Sequence, residues 1–229
     1  MGHQAIIRKW IKEELNDFLK KYKYKFAPIQ GVHGIVKRDE ATVNYCTISQ
    51  DSTDYFHYCN PQICFMKVEK IMFKISNEGQ FEFDYPTVSI VTPPEALGIG
   101  TTIRSAEDAK KLTDIFKKYF VEAYLPAFEK YSNPESVLTL WDSLETQEEK
   151  NMWFPGPERD MKILIFSKLC NESEDKYEQR RDETHEYYKN QLMNGNQEEF
   201  EEYPLLLISC KNLLKWCEEV IEYLAKNEI

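Results

Sequence analysis

The sequence predicts an α+β fold in which an antiparallel β-meander packs against an N-terminal helix and a long central helix, followed by an all-helical C-terminal extension. Three observations predict this fold. Helical spacing of apolar residues opens the chain, a middle region is rich in β-branched and aromatic residues, and helical spacing returns after Ser105. Hydrophobic residues make up 42% of the chain, with 13 Phe, 14 Tyr and 4 Trp, which is enough to build a core.

An amphipathic helix is predicted over residues 6–22. Lysines and glutamates separate apolar side chains that recur every three or four residues. The apolar positions are Ile7, Trp10, Ile11, Leu15, Phe18, Leu19 and Tyr22. The helix is predicted to end in the basic run 20–25, where cations suit the negative end of the helix dipole.

Strands are predicted next, at residues 34–38, 42–50, 55–58, 62–68 and 81–90. In the second of them Val43 and Tyr45 alternate with Asn44 and Cys46, which predicts burial on one face only. Gaps of hairpin length, such as the two residues 39–40, favour an antiparallel meander over parallel β-α-β units. Pro61 and Pro86 are expected at strand starts, bulges or edges, because proline cannot donate a ladder hydrogen bond.

A long helix is predicted after a loop at residues 92–104. Ser105 is its expected N-cap, with Asp108 three residues further on as in a capping box. Apolar positions continue from Ala109 to Ala127, and Pro126 is expected to kink or end the helix near Tyr124. The pair 133–134, Asn-Pro, then caps a short second helix.

The best candidate for a domain boundary is the break Pro155-Gly156-Pro157. The sequence therefore predicts an α+β domain over residues 1–154 and an acidic helical extension packed on it over residues 155–229, with one single domain as the alternative. Three helices are predicted in the extension, at residues 161–169, 173–193 and 204–226.

Charge is distributed unevenly along the chain, whose net charge is −10. Residues 1–144 contain 19 acidic and 18 basic side chains, while residues 145–229 contain 20 acidic and 11 basic ones. Such a field disfavours nucleic acid and anionic membranes as partners and favours a basic protein, with solubility as the alternative explanation. The candidate partner face consists of Asp182, Glu183, Glu186, Glu198, Glu199, Glu201 and Glu202.

A cytoplasmic location is expected for this chain. Its first residues are charged throughout, and no apolar run approaches the roughly 18 residues that a membrane span needs. Six cysteines are too sparse for the disulfide framework of a small secreted domain, so we expect reduced thiols.

No catalytic or metal-binding pattern is recognisable. The four histidines have no catalytic spacing, and Lys189 stands where a zinc-protease helix that contains His185 would need its second histidine. The four residues with metal-ligand chemistry have poor spacing and lie in strand-like segments; they are Cys46, His57, Cys59 and Cys64. Residues 98–102, Gly-Ile-Gly-Thr-Thr, could hold an anion before a helix or simply form a flexible connection. We expect no catalytic residue, no metal and no cofactor, with an enzyme of unknown class as an alternative.

Aromatic side chains on the predicted strands have two interpretations. They could fill the core against the helices, or they could line a small-ligand pocket between the sheet and the helix that contains Ala109. The pocket candidates are Tyr45, Tyr58, Phe65, Phe83 and Tyr85.

The long helix ends in Tyr124-Leu125-Pro126-Ala127-Phe128, and Ser132-Asn133-Pro134-Glu135-Ser136-Val137-Leu138 follows. This segment resembles a group of uncharacterised bacterial domains of unknown function, in which a similar Leu-Pro-x-Phe turn precedes a short Leu-rich helix. The order of elements matches that group over about residues 5–144. Some members are thought to serve as immunity proteins in bacterial toxin systems. The resemblance implies a non-enzymatic, protein-binding role, while the residues leave partner identity and oligomeric state open.

Overall fold

The computed structural model describes residues 3–29, 32–50, 54–76, 86–91, 100–194, 204–227 and 229. Its helices are α1 (His3–Lys21), α2 (Met66–Ser76), α3 (Ala106–Tyr119), α4 (Leu125–Tyr131), α5 (Pro134–Ser143), α6 (Gln147–Trp153), α7 (Arg159–Leu169), α8 (Glu174–Asn194) and α9 (Pro204–Lys226). Its strands are β1 (Lys25–Ile29), β2 (Val32–Arg38), β3 (Thr42–Gln50), β4 (Tyr55–Tyr58), β5 (Gln62–Phe65), β6 (Val88–Ser89) and β7 (Gly100–Thr102). The predicted α+β class is confirmed.

The chain divides into two compact units. The sheet unit comprises Met1–Met66 and Phe83–Asn133, and the helical unit comprises Lys67–Glu82 and Pro134–Ile229. Packing units of this kind do not establish which segments fold alone, so the domain boundary at residues 154/155 stays a prediction.

The sheet of the first unit is antiparallel throughout its described strands. Its strand order is β1-β2-β3-β4-β7, and β5 pairs with β3 and with β6. One edge of β3 pairs with two strands: Tyr45 lies opposite Gln62 of β5, and Ile48 lies opposite Tyr58 of β4. The hairpin predicted at residues 39–40 is present, with the Asp39 amide donating to the Thr42 carbonyl oxygen at 3.0 Å. The predicted meander is therefore confirmed.

Burial on only one face of β3 was a wrong prediction. Val43, Asn44, Tyr45 and Cys46 are all buried, so both faces of this central strand are covered. Asn44 tolerates burial because the Ser132 hydroxyl donates a hydrogen bond to its Oδ1 at 3.1 Å. A polar residue in an alternating pattern therefore marked a satisfied buried group here instead of a solvent-facing one.

Two helices of the sheet unit cover the sheet face that carries Cys46, Ile48 and Tyr58, as predicted. From α3, Phe116 stacks on Tyr58 with ring centroids 4.0 Å apart. The helix α1 buries Ile7, Ile11, Leu15 and Leu19. Its Phe18 lies edge-on to Phe120, at 5.6 Å between centroids. This aromatic packing places α1 and the long helix against each other and against the sheet.

The long helix begins at the predicted cap. The Asp108 amide donates to Ser105 Oγ at 3.2 Å, and the Ser105 hydroxyl donates to the Asp108 carboxylate at 2.9 Å. The predicted kink near Tyr124 takes the form of a π-helical segment, Phe120–Tyr124, after which α4 continues. Pro126 then lies in the first turn of α4, where its missing N–H costs least.

The helix α2 was missed, because residues 62–68 were predicted to form one strand. The strand β5 ends at Phe65 and α2 begins at Met66. Val68, Ile71, Met72 and Ile75 are buried at three- and four-residue spacing, which is the helical period. The β-branched composition of the segment concealed this period.

The predicted end of the first helix within the basic run 20–25 is confirmed, because α1 ends at Lys21 with Lys20 and Lys21 in its last turn. Two further elements differ from prediction. Residues 100–102, predicted as loop, form β7 on the outer side of β4. The helix α6, which was not predicted, begins with a full capping box between Thr146 and Glu149. Of the strand predicted at 81–90, residues 81–85 lie outside the described residues, and the described part contains β6.

The helices predicted for the C-terminal third are confirmed as α7, α8 and α9. Every residue of α7 from Arg159 to Ser167 is buried, so this helix is the centre of the helical unit. In α8, one face is buried and the opposite face is exposed. The buried residues are Tyr177, Arg180, Thr184 and Tyr188. This pattern gives α8 one packed face and one face of charged side chains in water.

Candidate functional site

The exposed side of α8 carries a line of carboxylates. Asp175, Glu178, Asp182 and Glu186 follow one another at three- or four-residue spacing, and all four are exposed. Glu183 is exposed beside them. We call these five residues the acidic stripe. Because i, i+3 and i+4 positions lie on one helix face, the stripe presents its charges in one direction.

Only two cations neutralise the acidic stripe among the described residues. Arg181 lies 2.8 Å from Asp182 and 3.6 Å from Glu178, and Lys189 lies 3.8 Å from Glu186. Glu183 accepts a hydrogen bond from the neutral Gln179 amide at 2.8 Å. Exposed ion pairs of this kind contribute little, about 0–1 kcal/mol each, and are readily exchanged for other partners. The stripe therefore keeps a net negative charge.

A partly buried ionic network ties α8 to its neighbours on the side away from the stripe. Arg180 donates from Nε to Glu172 at 2.8 Å and from a terminal nitrogen to Asp142 at 2.8 Å. The Ser167 hydroxyl also donates to Glu172, at 2.7 Å. Partial burial alone would raise the pKa of Glu172, but hydrogen bonds from Arg180, Lys176 and Ser167 lower it to about 2. These bonds therefore tie α8, which carries the stripe, to Asp142 of α5 and to Glu172.

Large apolar side chains are exposed just before and just after residues 195–203 in the sequence. Met193 lies in the last turn of α8, and Leu205 and Ile208 lie at the start of α9, with Leu205 78% exposed. Exposed apolar residues next to charged ones are common in protein-binding surfaces. The remaining acidic candidates, Glu198, Glu199, Glu201 and Glu202, lie outside the described residues.

The aromatic pocket candidates do not line one cavity. Tyr58 lies opposite Ile48 and Tyr45 lies opposite Gln62, which places the two tyrosines on opposite faces of the sheet. Phe65, opposite Thr42, shares the face of Tyr58. All three are buried, and Phe116 fills the space over Tyr58. The other two candidates, Phe83 and Tyr85, lie outside the described residues.

The cysteines considered as metal ligands pack as core residues. Cys46 and Cys64 lie on opposite faces of the sheet. Cys64 lies opposite Val43, and Val43 and Cys46 point to opposite faces because they are three residues apart in the same strand. The Cys46 thiol donates to the Cys59 carbonyl oxygen at 2.9 Å, and burial raises its pKa. Among the residues that the structure describes, no three His, Cys, Asp or Glu side chains are grouped to hold a metal ion.

The glycine-rich segment considered for anion binding is a strand where the structure describes it. Gly100–Thr102 pairs with β4, and a Cβ on Gly100 would lie only 2.7 Å from the Phe56 carbonyl oxygen. Close approach to β4 therefore explains this glycine. The interpretation as an anion-binding loop before a helix is wrong for residues 100–102.

A groove between α1 and the β1–β2 hairpin was not predicted from the sequence. Its volume is about 350 Å³. It is lined by Ala5, Arg8, Lys9 and Lys12 of α1, by Phe26, Ala27 and Pro28 of β1, and by His33 of β2. The spacing of the first four residues could have indicated that they share one helix face. Their partners could not be foreseen, because β1 was not predicted.

No helix in the described ranges combines the length and apolarity that crossing a membrane requires. Comparisons of this chain with protein-family models, with curated proteins and with solved structures give no match.

Proposed function

We propose that this protein is a non-enzymatic, cytoplasmic binding protein whose acidic stripe on α8 engages a basic protein. The observation that carries this proposal is the line of five exposed carboxylates with two neutralising cations. The stripe runs along α8 from Asp175 to Glu186, which at about 1.5 Å of rise per residue gives a surface about 17 Å long. That length suits a protein surface better than a small cation.

Electrostatics determines what the acidic stripe contributes to binding. Exposed charges of one sign speed encounter with a partner of the opposite sign and disfavour partners of the same sign. The field falls off over about 8 Å at physiological ionic strength, so the interaction is expected to be sensitive to salt. Apolar contacts at Met193, Leu205 and Ile208 would then supply burial that salt does not weaken.

An immunity-type role is the finer form of the proposal. The resemblance of residues 124–138 to uncharacterised bacterial domains, some members of which are thought to serve as immunity proteins, supports it, and a basic toxin would match the charge of the stripe. In that role the protein blocks its partner by covering it, and no catalytic residue is needed. A neutralised toxin is thus the partner class that we propose.

Charge reversal tests the proposal. The test variant reverses three carboxylates of the stripe: Glu178→Lys, Asp182→Lys and Glu186→Lys. Wild-type protein is immobilised and exposed to a lysate of the cells that make it, and retained proteins are identified by mass spectrometry. We expect a basic protein that is retained by the wild type, lost with the test variant and eluted by about 0.5 M salt.

A matched control changes the net charge equally but elsewhere. It reverses three exposed carboxylates of the sheet unit: Glu107→Lys, Glu122→Lys and Glu129→Lys. The control should retain the same partner as the wild type. The proposal fails if both triple variants lose the partner equally, if salt does not elute it, or if the wild type retains no basic protein. Circular dichroism establishes that each variant is folded.

A further inference from the structure

The groove between α1 and the β1–β2 hairpin is a built concavity of the sheet unit. One wall is a single face of α1, because Ala5, Arg8 and Lys12 are three and four residues apart. The other wall is the edge of the sheet, where Pro28 of β1 lies opposite His33 of β2. A volume of about 350 Å³ lies within the range of small-molecule sites. We call this concavity the basic groove.

Two cations in the basic groove have no partner. Lys9 lies 3.7 Å from Glu13, one turn further along α1. For Arg8 and Lys12, no carboxylate lies within ion-pair distance anywhere in the described ranges. They stand one helical turn apart, where two like charges repel each other. A dianion placed between them would remove this repulsion.

The opposite wall offers a flat surface. The rings of Phe26 and His33 are stacked, with centroids 5.5 Å apart and an angle of 24° between their planes. Both side chains are half-buried, so part of this pair faces the groove. Burial lowers the pKa of His33, and the positive charges of Arg8 and Lys12 lower it further. The lowered pKa favours the neutral imidazole, in which one nitrogen can donate a hydrogen bond.

We propose that the basic groove binds a small phosphate monoester that carries a flat ring. The phosphate lies between Arg8 and Lys12, and the ring lies against Phe26 and His33. Arginine suits phosphate because its guanidinium donates two parallel hydrogen bonds, and lysine adds a point charge. An aromatic pair provides a stacking surface for a planar ring. The proposal involves no residue of the acidic stripe and does not depend on the proposed function.

Nuclear magnetic resonance of the His33 imidazole tests this assignment on the whole protein. Adenosine 5′-monophosphate is the probe, with adenosine and inorganic phosphate as the two half-ligands. We expect a saturable shift of the His33 signals with the monophosphate and a higher His33 pKa in its presence, because the dianion offsets the charges of Arg8 and Lys12. Each half-ligand should bind at least roughly tenfold more weakly than the monophosphate.

Substitutions on α1 identify the phosphate site. Arg8→Gln and Lys12→Gln should each weaken binding of the monophosphate by roughly tenfold or more, since each removes a charged hydrogen bond. Lys20→Gln is the matched control on the same helix and should bind as the wild type does. Phe26→Leu should weaken the monophosphate but leave inorganic phosphate unchanged.

Four results would each overturn the proposal. They are no saturable His33 shift, equal affinity for adenosine, equal affinity for inorganic phosphate, and wild-type affinity in both the Arg8→Gln and the Lys12→Gln variants. Because Lys12 is exposed, its variant is expected to fold even if Arg8→Gln does not.

Discussion

The ammonium group of Lys162 lies 3.0 Å from Oε1 of Glu69, and both side chains are buried. A second carboxylate, that of Glu158, lies 3.1 Å from the same nitrogen. Burial acts to lower the pKa of Lys162, but the two carboxylates outweigh it and the pKa is raised. The lysine therefore stays charged in the core of the helical unit and joins α2 to α7.

Removal of Lys162 should destabilise the protein, because the buried carboxylate of Glu69 then lacks this partner. Lys162→Met leaves Glu69 buried without its ammonium partner, and we expect a loss of about 3–5 kcal/mol in the free energy of unfolding. The double variant Lys162→Met/Glu69→Met should lose clearly less, since the buried Glu69 carboxylate is then removed with its lysine and Glu158, which also loses the lysine, is partly exposed to water. Urea titration followed by circular dichroism measures both. Equal losses in the two variants would contradict the ionic explanation.

Stability should depend on Glu172 at acid pH. Its carboxylate has a pKa of about 2 in the folded protein, against about 4.3 in an unfolded chain. Because the folded value is the lower one, the carboxylate contributes its full stabilisation above about pH 4.3 and loses it as pH falls towards 2. The difference in unfolding free energy between the wild type and Glu172→Gln should therefore be largest near neutral pH and shrink below pH 4.3. A difference that is constant from pH 7 to pH 2.5 would refute this linkage.

Two buried tyrosines should respond oppositely to loss of their hydroxyl groups. The Tyr58 hydroxyl is buried and has no hydrogen-bond partner in the part of the chain that the structure describes, so Tyr58→Phe should stabilise the protein by about 1 kcal/mol. The Tyr188 hydroxyl donates to the Pro157 carbonyl oxygen at 2.7 Å, so Tyr188→Phe should destabilise it by about 1 kcal/mol. Thermal unfolding of the two variants makes the comparison, in which each serves as control for the other. Melting temperatures that shift in the same direction would count against the assignment.

Gly34 is expected to resist substitution. A Cβ there would lie 2.7 Å from the Cys46 carbonyl oxygen and 3.1 Å from the Thr47 Cα, both of which are backbone atoms of the neighbouring strand. Neither atom can move without disturbing the pairing of β2 with β3. Gly34→Ala should therefore cost about 1–3 kcal/mol in urea titration, as overpacking of a core does. Wild-type stability of this variant would mean that the two strands can separate freely at this point.

Elements with local signals were predictable from the sequence. The Ser105 cap, the Asn133-Pro134 start of α5 and the amphipathic pattern of α9 lie within single segments, and each was found where it was predicted. The helix α2 was missed because β-branched composition suggested a strand, although Val68, Ile71 and Ile75 have the helical period.

The two candidate sites differ in the same way: one depends on spacing within a single helix, and the other depends on tertiary contacts. The outward carboxylates Asp182 and Glu186 could be predicted, because the face of a helix follows from spacing within it. The basic groove could not be predicted, because His33 and Arg8 come to line one groove only through the pairing of β1 with β2. Likewise, both faces of β3 are buried by packing that the alternation at Asn44 does not reveal.

The place of α2 in the chain has a consequence for synthesis on the ribosome. Glu69 precedes Lys162 by about 90 residues, so at about 5–20 residues per second it emerges roughly 5–20 s before its partner. During that interval Lys162 is not yet available to accompany the carboxylate into the interior, and burial of Glu69 is disfavoured. Nascent chains that end before α7 should therefore leave α2 accessible to protease, however complete the strands on either side of it are.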